Sequence, residues 1–313
     1  MVELTAREYR EADASRLAEL INLVEEDAGG HAGLTAGYVE STVRGLVRDP
    51  VTDTRLLSAP DGDLVAVGLV FAPPGAGSRV DLMGCVHPRW RGRGIGRDLL
   101  GWELDRAAEV HRAAGAGTAW EAQVDTAAGN DSADRLYRRF GFSPVRYWFH
   151  MVAPTGSASH PTLPDGIRVT GYQAGHDKEL HEAHTEAFAD HWGSQARQYD
   201  DWATMTVRSE SFLPGLSTVA FDGDEIAGYA LTYGDADPGR IYIGQVGVRR
   251  PWRRRGLAGA LLTRVLAAAR AEGRQTASLG VDADSPTGAV GVYERAGFEV
   301  VSRAVTYARP LLP

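Results

Sequence analysis

The 313-residue sequence has little of what marks several common protein classes. It contains one cysteine, Cys85, which excludes an internal disulfide framework and is typical of a protein from a reducing cytoplasm. It has no apolar stretch of roughly 18 residues, so we expect no membrane span. Its first residues lack the basic and then apolar order of a signal peptide. No spacing of His, Cys and Asp suggests a metal site, so we expect no metal.

Lysine is nearly absent, and arginine clusters at two short motifs. Lysine occurs once, as Lys178, and the formal net charge is −8 at pH 7. This acidic balance argues against nucleic acid as the main partner. The arginines concentrate in two short motifs, which indicates local anion-binding sites. The length predicts two domains of ordinary size, and we expect a monomer or a homodimer.

The chain does contain a short basic glycine run that occurs twice. The first copy is Arg91-Gly92-Arg93-Gly94-Ile95-Gly96, and the second is Arg253-Arg254-Arg255-Gly256-Leu257-Ala258, 162 positions later. Each run follows a short apolar segment and opens an apolar, helix-like one. Further on, each copy has a tyrosine, Tyr137 or Tyr293, shortly before a glycine–phenylalanine pair. Two runs in the same context indicate a duplicated unit.

The order of elements is similar in the two halves. A Pro-, Gly- and Ser-rich segment, 153–165, predicts a linker between a first domain at 1–152 and a second at 166–313. Each half reads as a strand, helical segments, paired strands, the motif strand, a helix, another strand, a short helix bearing the tyrosine, and a last strand. We therefore predict the α/β class, with a mixed, mostly antiparallel sheet flanked by helices in each half.

The glycine runs suit a diphosphate. Where a strand leads directly into a helix, the first helical N–H groups have no intrahelical partner, and the helix dipole adds positive charge there. Glycine keeps side chains away from the bound phosphates, and arginine adds charge-assisted hydrogen bonds. Two commoner nucleotide loops are absent, because the chain has neither a G-x-x-x-x-G-K-(S/T) run nor a G-x-G-x-x-G run with an acidic residue about twenty positions later.

The combined motifs resemble those of the GNAT superfamily of acetyl-CoA-dependent N-acetyltransferases. The resemblance rests on Val-x-Pro-x-x-Arg-x-x-Gly-x-Gly, then a strand, then Leu-Tyr-x-x-x-Gly-Phe. It covers nearly the whole chain as a tandem GNAT, with a layout similar to that of mycothiol synthases, which acetylate a cysteinyl amine. It implies an acyltransferase that uses acetyl-CoA and a small-molecule primary amine, by direct attack of the amine on the thioester.

The resemblance also implies positions for the coenzyme. In the second copy these are Val246, Gly247, Val248, Arg253, Arg254, Arg255, Gly256, Leu257, Ala258 and Gly259. In the first copy they are Gly84, Cys85, Val86, Arg91, Gly92, Arg93, Gly94, Ile95, Gly96, Arg97 and Asn130. The second copy has Ser285-Pro286 where the first has Asn130, which weakens one contact.

Catalytic roles follow from the same resemblance. Tyr293, with Tyr137 as its match, would be the general acid for the leaving thiolate. The usual strand carboxylate is missing from 241–246. The candidates for the general base are therefore Asp282, Asp284 or a water held by Tyr242 or Gln245, with Asp81 and Glu121 as their analogues in the first copy. For the acceptor we name His191, Trp192 and Tyr242.

Other interpretations remain open at this point. Both copies are expected to bind coenzyme, and the second is favoured for catalysis. A regulator that binds acetyl-CoA without turnover would fit the missing carboxylate, and a protein N-acetyltransferase would need an open groove. The tyrosines are also compatible with core packing, and Cys85 is better explained as a small core residue than as a nucleophile. The run 188–193 fits a substrate pocket and a capped helix end equally well.

Overall fold

The two sequence copies fold as two units. The structure is a computed structural model, and it describes residues 3–30, 32–72, 77–115, 119–157 and 163–311. The first unit combines 1–147 with 302–313, and the second is 148–301. Among the described residues, no helix is both long and apolar enough to cross a membrane.

The first unit is built around a mixed sheet. Its elements are β1 (Thr5–Arg7), α1 (Ala14–Asp27), α2 (Ala36–Leu46), α3 (Pro50–Asp53), β2 (Thr54–Ser58), β3 (Leu64–Phe71), β4 (Arg79–Val86), α4 (Ile95–Ala113), β5 (Trp120–Ala127), α5 (Asp131–Arg139) and the start of β6 (Ser143–Pro154). Strands β1 to β4 pair antiparallel in chain order, and β4 pairs parallel to β5. Two apolar cores form because α1 and α2 pack with β2 and β3, while α4 packs with β4 and β5.

The second unit repeats this plan. Its elements are the rest of β6, β7 (Ile167–Gly171), α6 (Asp177–Phe188), α7 (Tyr199–Met205), β8 (Thr218–Asp222), β9 (Glu225–Gly234), β10 (Arg240–Val248), α8 (Leu257–Ala271), β11 (Thr276–Asp282), α9 (Ala289–Arg295) and the start of β12 (Glu299–Leu311). Strands β7 to β10 pair antiparallel, and β10 pairs parallel to β11. The predicted mixed, mostly antiparallel sheet flanked by helices is thus observed in both units.

An apolar stripe explains the place of α8. The helix spans Leu257–Ala271. Leu261, Leu262, Val265 and Leu266 are fully buried, as expected for an apolar stripe at helical spacing. Because these side chains pack on β10 and β11, they fix the start of the helix beside the ends of both strands.

The last strand of each copy differs from the predicted domain boundaries. Residues 304–311 of β12 pair antiparallel with β5 and belong to the first unit. Residues 148–154 of β6 pair antiparallel with β11 and belong to the second. Each unit therefore includes a strand whose sequence follows the other copy, which the divisions 1–152 and 166–313 did not anticipate. Of the predicted linker, 153–154 end β6 and 158–162 lie outside the described residues.

A buried carboxyl group on α4 distinguishes this helix from α8 of the second unit. Glu103 on α4 is 2% exposed, and its Oε1 has no hydrogen-bond partner among the described residues. It lies over the paired glycines Gly68 and Gly84, where an added Cβ would come within 3.0 and 2.7 Å of that oxygen. By the 162-residue offset, the second unit has Val265 at this position of its helix. Burial raises the pKa of Glu103 well above its usual range.

We predict that Glu103→Gln removes a pH dependence of stability. The folded state keeps the Glu103 carboxyl protonated, whereas the unfolded chain ionises it above pH about 4.3. Stability should therefore fall as the pH rises, and the glutamine variant should escape this fall. Between pH 5 and pH 8, the free energy of unfolding of the wild type should fall by at least about 1 kcal/mol more than that of the variant. Chemical denaturation at both pH values measures the difference, and Glu109→Gln, exposed on the same helix, is the control.

Candidate active site

The second unit contains a cavity of about 1070 Å³. It is lined from β10, the loop after it, the start of α8, β11, α9 and the end of α6. The predicted site residues that line it are Val246, Gly247, Val248, Arg253, Arg254, Gly256, Leu257, Ala258, Gly259, Asp282, His191 and Tyr293. Arg255, Trp192 and Tyr242 are not among the lining residues. The fold thus brings most of the second copy's predicted residues to one place.

Strand separation opens the cavity. The parallel pairing of β10 with β11 ends at Tyr242 opposite Ser278, although β10 continues to Val248 and β11 to Asp282. A register shift between Ile243 and Gln245 marks a bulge in β10 at the same point. Beyond it, the side of β10 that faced β11 pairs with no other strand among the residues that the structure describes. Its backbone groups are therefore available to an extended ligand.

Backbone conformation prepares an anion site where the loop meets α8. Gly256, the residue before the helix, has φ of 80° and no side-chain cap, and Arg254 has φ of 62°. Left-handed residues in such a turn direct successive N–H groups to one side, which forms an anion-binding concavity. The first helical residues, Leu257, Ala258 and Gly259, line the cavity. The helix dipole adds to the preference for negative charge there.

The arginine side chains at the site donate hydrogen bonds to other groups of the protein. Arg253 donates to Asp190 Oδ2 at 2.9 Å, to the Ala187 carbonyl at 3.0 Å and to the Val248 carbonyl at 3.2 Å. Arg250 donates to the same Asp190 carboxylate at 2.7 Å. The hydrogen bonds from Arg250 and then Arg253 lower the pKa of Asp190 to about 2. These contacts attach the end of α6 to the loop that precedes α8, a role the sequence did not reveal.

Tyr293 has the surroundings of an acid that keeps its proton. It lies on α9, is half-buried, and packs edge-to-face against Phe298 with ring centroids 6.1 Å apart. Burial raises the pKa of the Tyr293 phenol to about 12, so the group is protonated at neutral pH. Because it lines the cavity, its hydroxyl can donate to a group bound there.

The carboxylates proposed as bases are differently placed. Asp282 is 1% exposed, and its Oδ1 accepts a hydrogen bond from the Asp284 amide at 3.0 Å. This bond stabilises the turn after β11. Gln245 lies at the bulge, and its Oε1 is buried without a hydrogen-bond partner among the described residues. Tyr242 packs against the aromatic core under α6 and α7.

Aromatic rings gather beside the end of α6. His191 stacks on Trp148 at 5.8 Å between ring centroids, and Trp192 meets Trp148 edge-to-face at 6.1 Å. Phe188 contacts His191 at 5.6 Å, and both line the cavity. The run 188–193 therefore ends a helix and also contributes to the cavity wall, so both interpretations of the sequence apply.

Sequence reasoning missed His184. It lies on α6, half-buried, with Nδ1 2.7 Å from the Tyr229 hydroxyl oxygen and its ring stacked on Phe188 at 4.6 Å. Burial lowers the pKa of His184 to about 4, and the charges of His181, Arg197 and His191 act in the same direction. The signal available in the sequence was the density of histidines in α6, three residues apart at 181 and 184.

The first unit keeps the backbone of the glycine run. Gly92 and Gly94 have φ of 74° and 85°, as at the matching positions of the second unit. The arginines here have partners: Arg91 pairs with Asp27, Arg93 lies over the Trp90 ring, and Arg97 donates to Asp98. Ile95 and Gly96 begin α4, as predicted.

The other residues named in the first copy have structural partners. The side-chain oxygen Oδ1 of Asn130 accepts a hydrogen bond from the Ala133 amide and caps the start of α5. Asp81 pairs with Arg79, and Glu121 accepts from Gln123. Tyr137 is 9% exposed and packs against Tyr307 at 5.4 Å, and burial raises its pKa. Burial also raises the pKa of the Cys85 thiol to about 12, so the thiol is unreactive at neutral pH.

We predict opposite stability effects for two glycines at the start of α8. Gly256→Ala places a Cβ in the left-handed region and should cost about 1 kcal/mol. Gly259 lies inside the helix, and an added Cβ would meet nothing within 4 Å. Gly259→Ala should therefore stabilise by about 0.5–1 kcal/mol. Urea unfolding of both variants checks this; equal effects would contradict the assigned backbone conformation.

Comparisons with known proteins agree with this arrangement. The model of the Acetyltransferase (GNAT) domain matches residues 56–144, and that of the Acetyltransferase (GNAT) family matches residues 178–298. A protein of Thermobispora bispora named mycothiol acetyltransferase is 30% identical, over 86% of this chain and 88% of its own. A Salinispora arenicola protein of the same name is 30% identical, over 95% of this chain and 94% of its own.

Solved structures give the same result. A GCN5-related N-acetyltransferase from Sphaerobacter thermophilus is 33% identical, covers 99% of this chain and 96% of its own, and has a TM-score of 0.78. A tandem GNAT protein from the clavulanic acid biosynthesis pathway, at 16% identity and a TM-score of 0.71 with 99% of both chains covered, supports the fold alone. The chain belongs to the GNAT acetyltransferase family, and it is an acyltransferase with two GNAT domains in tandem.

Proposed function

We propose that the second unit binds acetyl-CoA in its cavity and transfers the acetyl group to a primary amine of a small molecule. The observation that supports this most is the convergence of three features on one cavity. These are the uncapped start of α8, the unpaired edge of β10 and the protonated Tyr293. Each suits a different part of the coenzyme.

The residues present fit the coenzyme part by part. The amides of Leu257, Ala258 and Gly259 would receive the pyrophosphate at the start of α8. The unpaired edge of β10 from Val246 to Val248 would pair with the amides of the pantetheine arm. Gly247 makes room for the Tyr229 ring, since an added Cβ would come within 2.5 Å of it. A cavity of about 1070 Å³ has room for a ligand of this size.

The chain's own groups then position the reaction. Bound acetyl-CoA supplies an acetyl group activated as a thioester. Tyr293 would donate its phenolic proton to the leaving sulfur, which lowers the barrier to expulsion of the thiolate. An N–H of β10 beside the bulge at Gly244, which lines the cavity, would orient the thioester carbonyl. The walls formed by α6, α8 and α9 would limit the access of water, which competes with the amine.

The acceptor that fits best is a small amine of the kind suggested by the relatives' name. These relatives are called mycothiol acetyltransferases. Phe188 and His191 give the cavity wall an aromatic surface that suits the apolar face of a compact molecule. We place this reaction in the cytoplasm, where acetyl-CoA and a reduced thiol such as Cys85 coexist.

A second candidate function is binding of acetyl-CoA without turnover. It is favoured by the absence of a carboxylate from β10 and by the engagement of Asp282 in a turn. Thiol release from acetyl-CoA with a panel of primary amines separates the two functions. Release with any amine supports the enzyme. No release, together with a thermal shift on adding CoA, supports the binding protein.

We expect Tyr293→Phe to lower kcat by roughly 100-fold, because the leaving sulfur loses its proton donor. Acetyl-CoA affinity, measured by calorimetry, should change little, since the ring remains. Tyr137→Phe should keep most of the activity because Tyr137 packs within the aromatic core of the first unit. If Tyr137→Phe lost the activity and Tyr293→Phe kept it, catalysis would belong to the first unit.

We expect Asp190→Asn to tighten acetyl-CoA binding. The carboxylate neutralises Arg250 and Arg253 at the cavity and repels phosphates. Its removal should lower the Kd by about two- to fivefold at low ionic strength, with a smaller effect at high salt. Asp200→Asn, which affects an exposed pair with Arg208, is the matched control. Weaker binding by Asp190→Asn would show instead that the carboxylate orders the site.

A further inference from the structure

The proposed reaction needs a group that removes a proton from the acceptor's ammonium, and β10 carries no carboxylate to do so. We propose that His184 accepts this proton, with Tyr229 and Gln245 as positioning residues that hold its ring and stabilise its charged form. This inference rests on the proposed function of the second unit. It concerns a residue that lies on α6, outside the coenzyme-binding motif.

The first support is the place of His184. Helix α6 packs against both β9 and β10. Nδ1 of His184 lies 2.7 Å from the hydroxyl oxygen of Tyr229, a fully buried residue on β9. The Tyr229 ring lies against Gly247 so closely that an added Cβ would come within 2.5 Å of it. The imidazole is thereby attached, through one phenol ring, to the strand that lines the cavity.

The second support is an unsatisfied oxygen at the bulge. Gln245 Oε1 is buried and has no hydrogen-bond partner among the described residues. Gly244 and Val246, on either side of Gln245, line the cavity. The Gln245 side chain also favours the protonated form of the His184 ring, as a carbonyl oxygen facing a ring N–H does. Neither Gln245 nor His184 is itself among the residues that line the cavity, so this oxygen is placed to accept from the charged His184 ring.

The third support is the balance between the two forms of the ring. An imidazolium has two N–H donors, and the Tyr229 and Gln245 oxygens are both acceptors near the ring. The resting ring is nevertheless neutral, because burial lowers the pKa of His184 to about 4. The charges of His181 on α6, and of Arg197 and His191 in the segment between α6 and α7, act in the same direction. The Trp202 ring of α7 also packs against it.

A ring in this state can take a proton and pass it on. One N–H bond of the ammonium breaks, and its proton passes through one water to the imidazole nitrogen that is free of Tyr229, where a new N–H bond forms. The lone pair left on the amine forms the new bond to the acetyl carbon while the carbon–sulfur bond breaks. The sulfur leaves with the electron pair of the carbon–sulfur bond and takes the Tyr293 proton. The amide nitrogen loses its surplus proton, which restores Tyr293 through water, and half-buried His184 releases its own proton to solvent.

The first test uses the protein without ligand. NMR of the protein with isotope-labelled histidine should show one imidazole that titrates well below the ordinary histidine pKa of about 6.5. His184→Gln should remove that signal. Tyr229→Phe and Gln245→Leu should each lower the pKa of the His184 imidazole further, because each variant removes a hydrogen-bond acceptor for the charged ring. A His184 signal that titrates near 6.5, or that neither variant shifts, overturns the proposal.

The second test is the pH dependence of turnover with S-methyl-L-cysteinamide and D-glucosamine as probe amines. At pH 7, His184→Gln should lower kcat by roughly 100-fold. The ratio of the wild-type kcat to the variant kcat should fall about tenfold for each unit that the pH rises, because more of the amine is then unprotonated. His176→Gln, an exposed histidine just before α6, is the matched control and should match the wild type. A loss that is equal at all pH values shows a merely structural role and contradicts the proposal.

Calorimetry with acetyl-CoA keeps this proposal separate from the function on which it rests. If the wild type neither binds acetyl-CoA nor acetylates either amine, the proposed function fails, and the NMR titration still decides the state of His184. If the wild type binds and reacts while His184→Gln keeps its kcat at pH 7, the function stands and His184 is not the proton acceptor. If His184→Gln does not fold, Gln245→Leu takes its place, with a smaller loss of the same pH dependence.

Discussion

The candidate site depends on the point at which two parallel strands stop pairing. Up to Tyr242, β10 and β11 share a ladder, and beyond it each pairs with its neighbour on the other side, β9 or β6. An unpaired strand edge inside a protein is normally costly, because its backbone groups need partners. Here the bulge at Gly244 and the start of α8 provide the setting in which a ligand can supply them. The cavity, the anion site and the position of Tyr293 all follow from this separation.

The two units share one order of helices and strands but bury different side chains at matching positions. Both have left-handed glycines in the loop before the motif helix. In the first unit, Gly68 and Gly84 leave space that the buried Glu103 carboxyl fills, and Tyr137 packs within an aromatic core. In the second, an apolar Val265 replaces the glutamate, and Tyr293 lines a cavity. The duplicated backbone therefore persists, although a buried carboxyl group on α4 is replaced by an apolar side chain on α8.

Much of this could be predicted from the sequence because the determinants are local. The mixed sheet flanked by helices and the place of the glycine run at the start of α8 were predicted, since apolar patterning and the glycines are encoded by neighbours in the chain. The role of His184 was missed because it depends on Tyr229, 45 residues away, and on Gln245 at a bulge. The contact of Arg253 with Asp190 was missed for the same reason. Long-range pairs between side chains leave no periodic signal in a single sequence.

The two copies cannot be separated without breaking strand pairs, because 304–311 pair with β5 and 148–154 pair with β11. A protein with consecutive, self-contained domains can lose or replace one of them by a single genetic break. A break in the gene between the two copies would separate the sheet of each unit from a strand that pairs with it. The resulting fragments would expose unpaired strand edges, which promote aggregation. Selection on either copy therefore acts on the whole gene, which offers a physical reason why a copy with no assigned chemistry is retained.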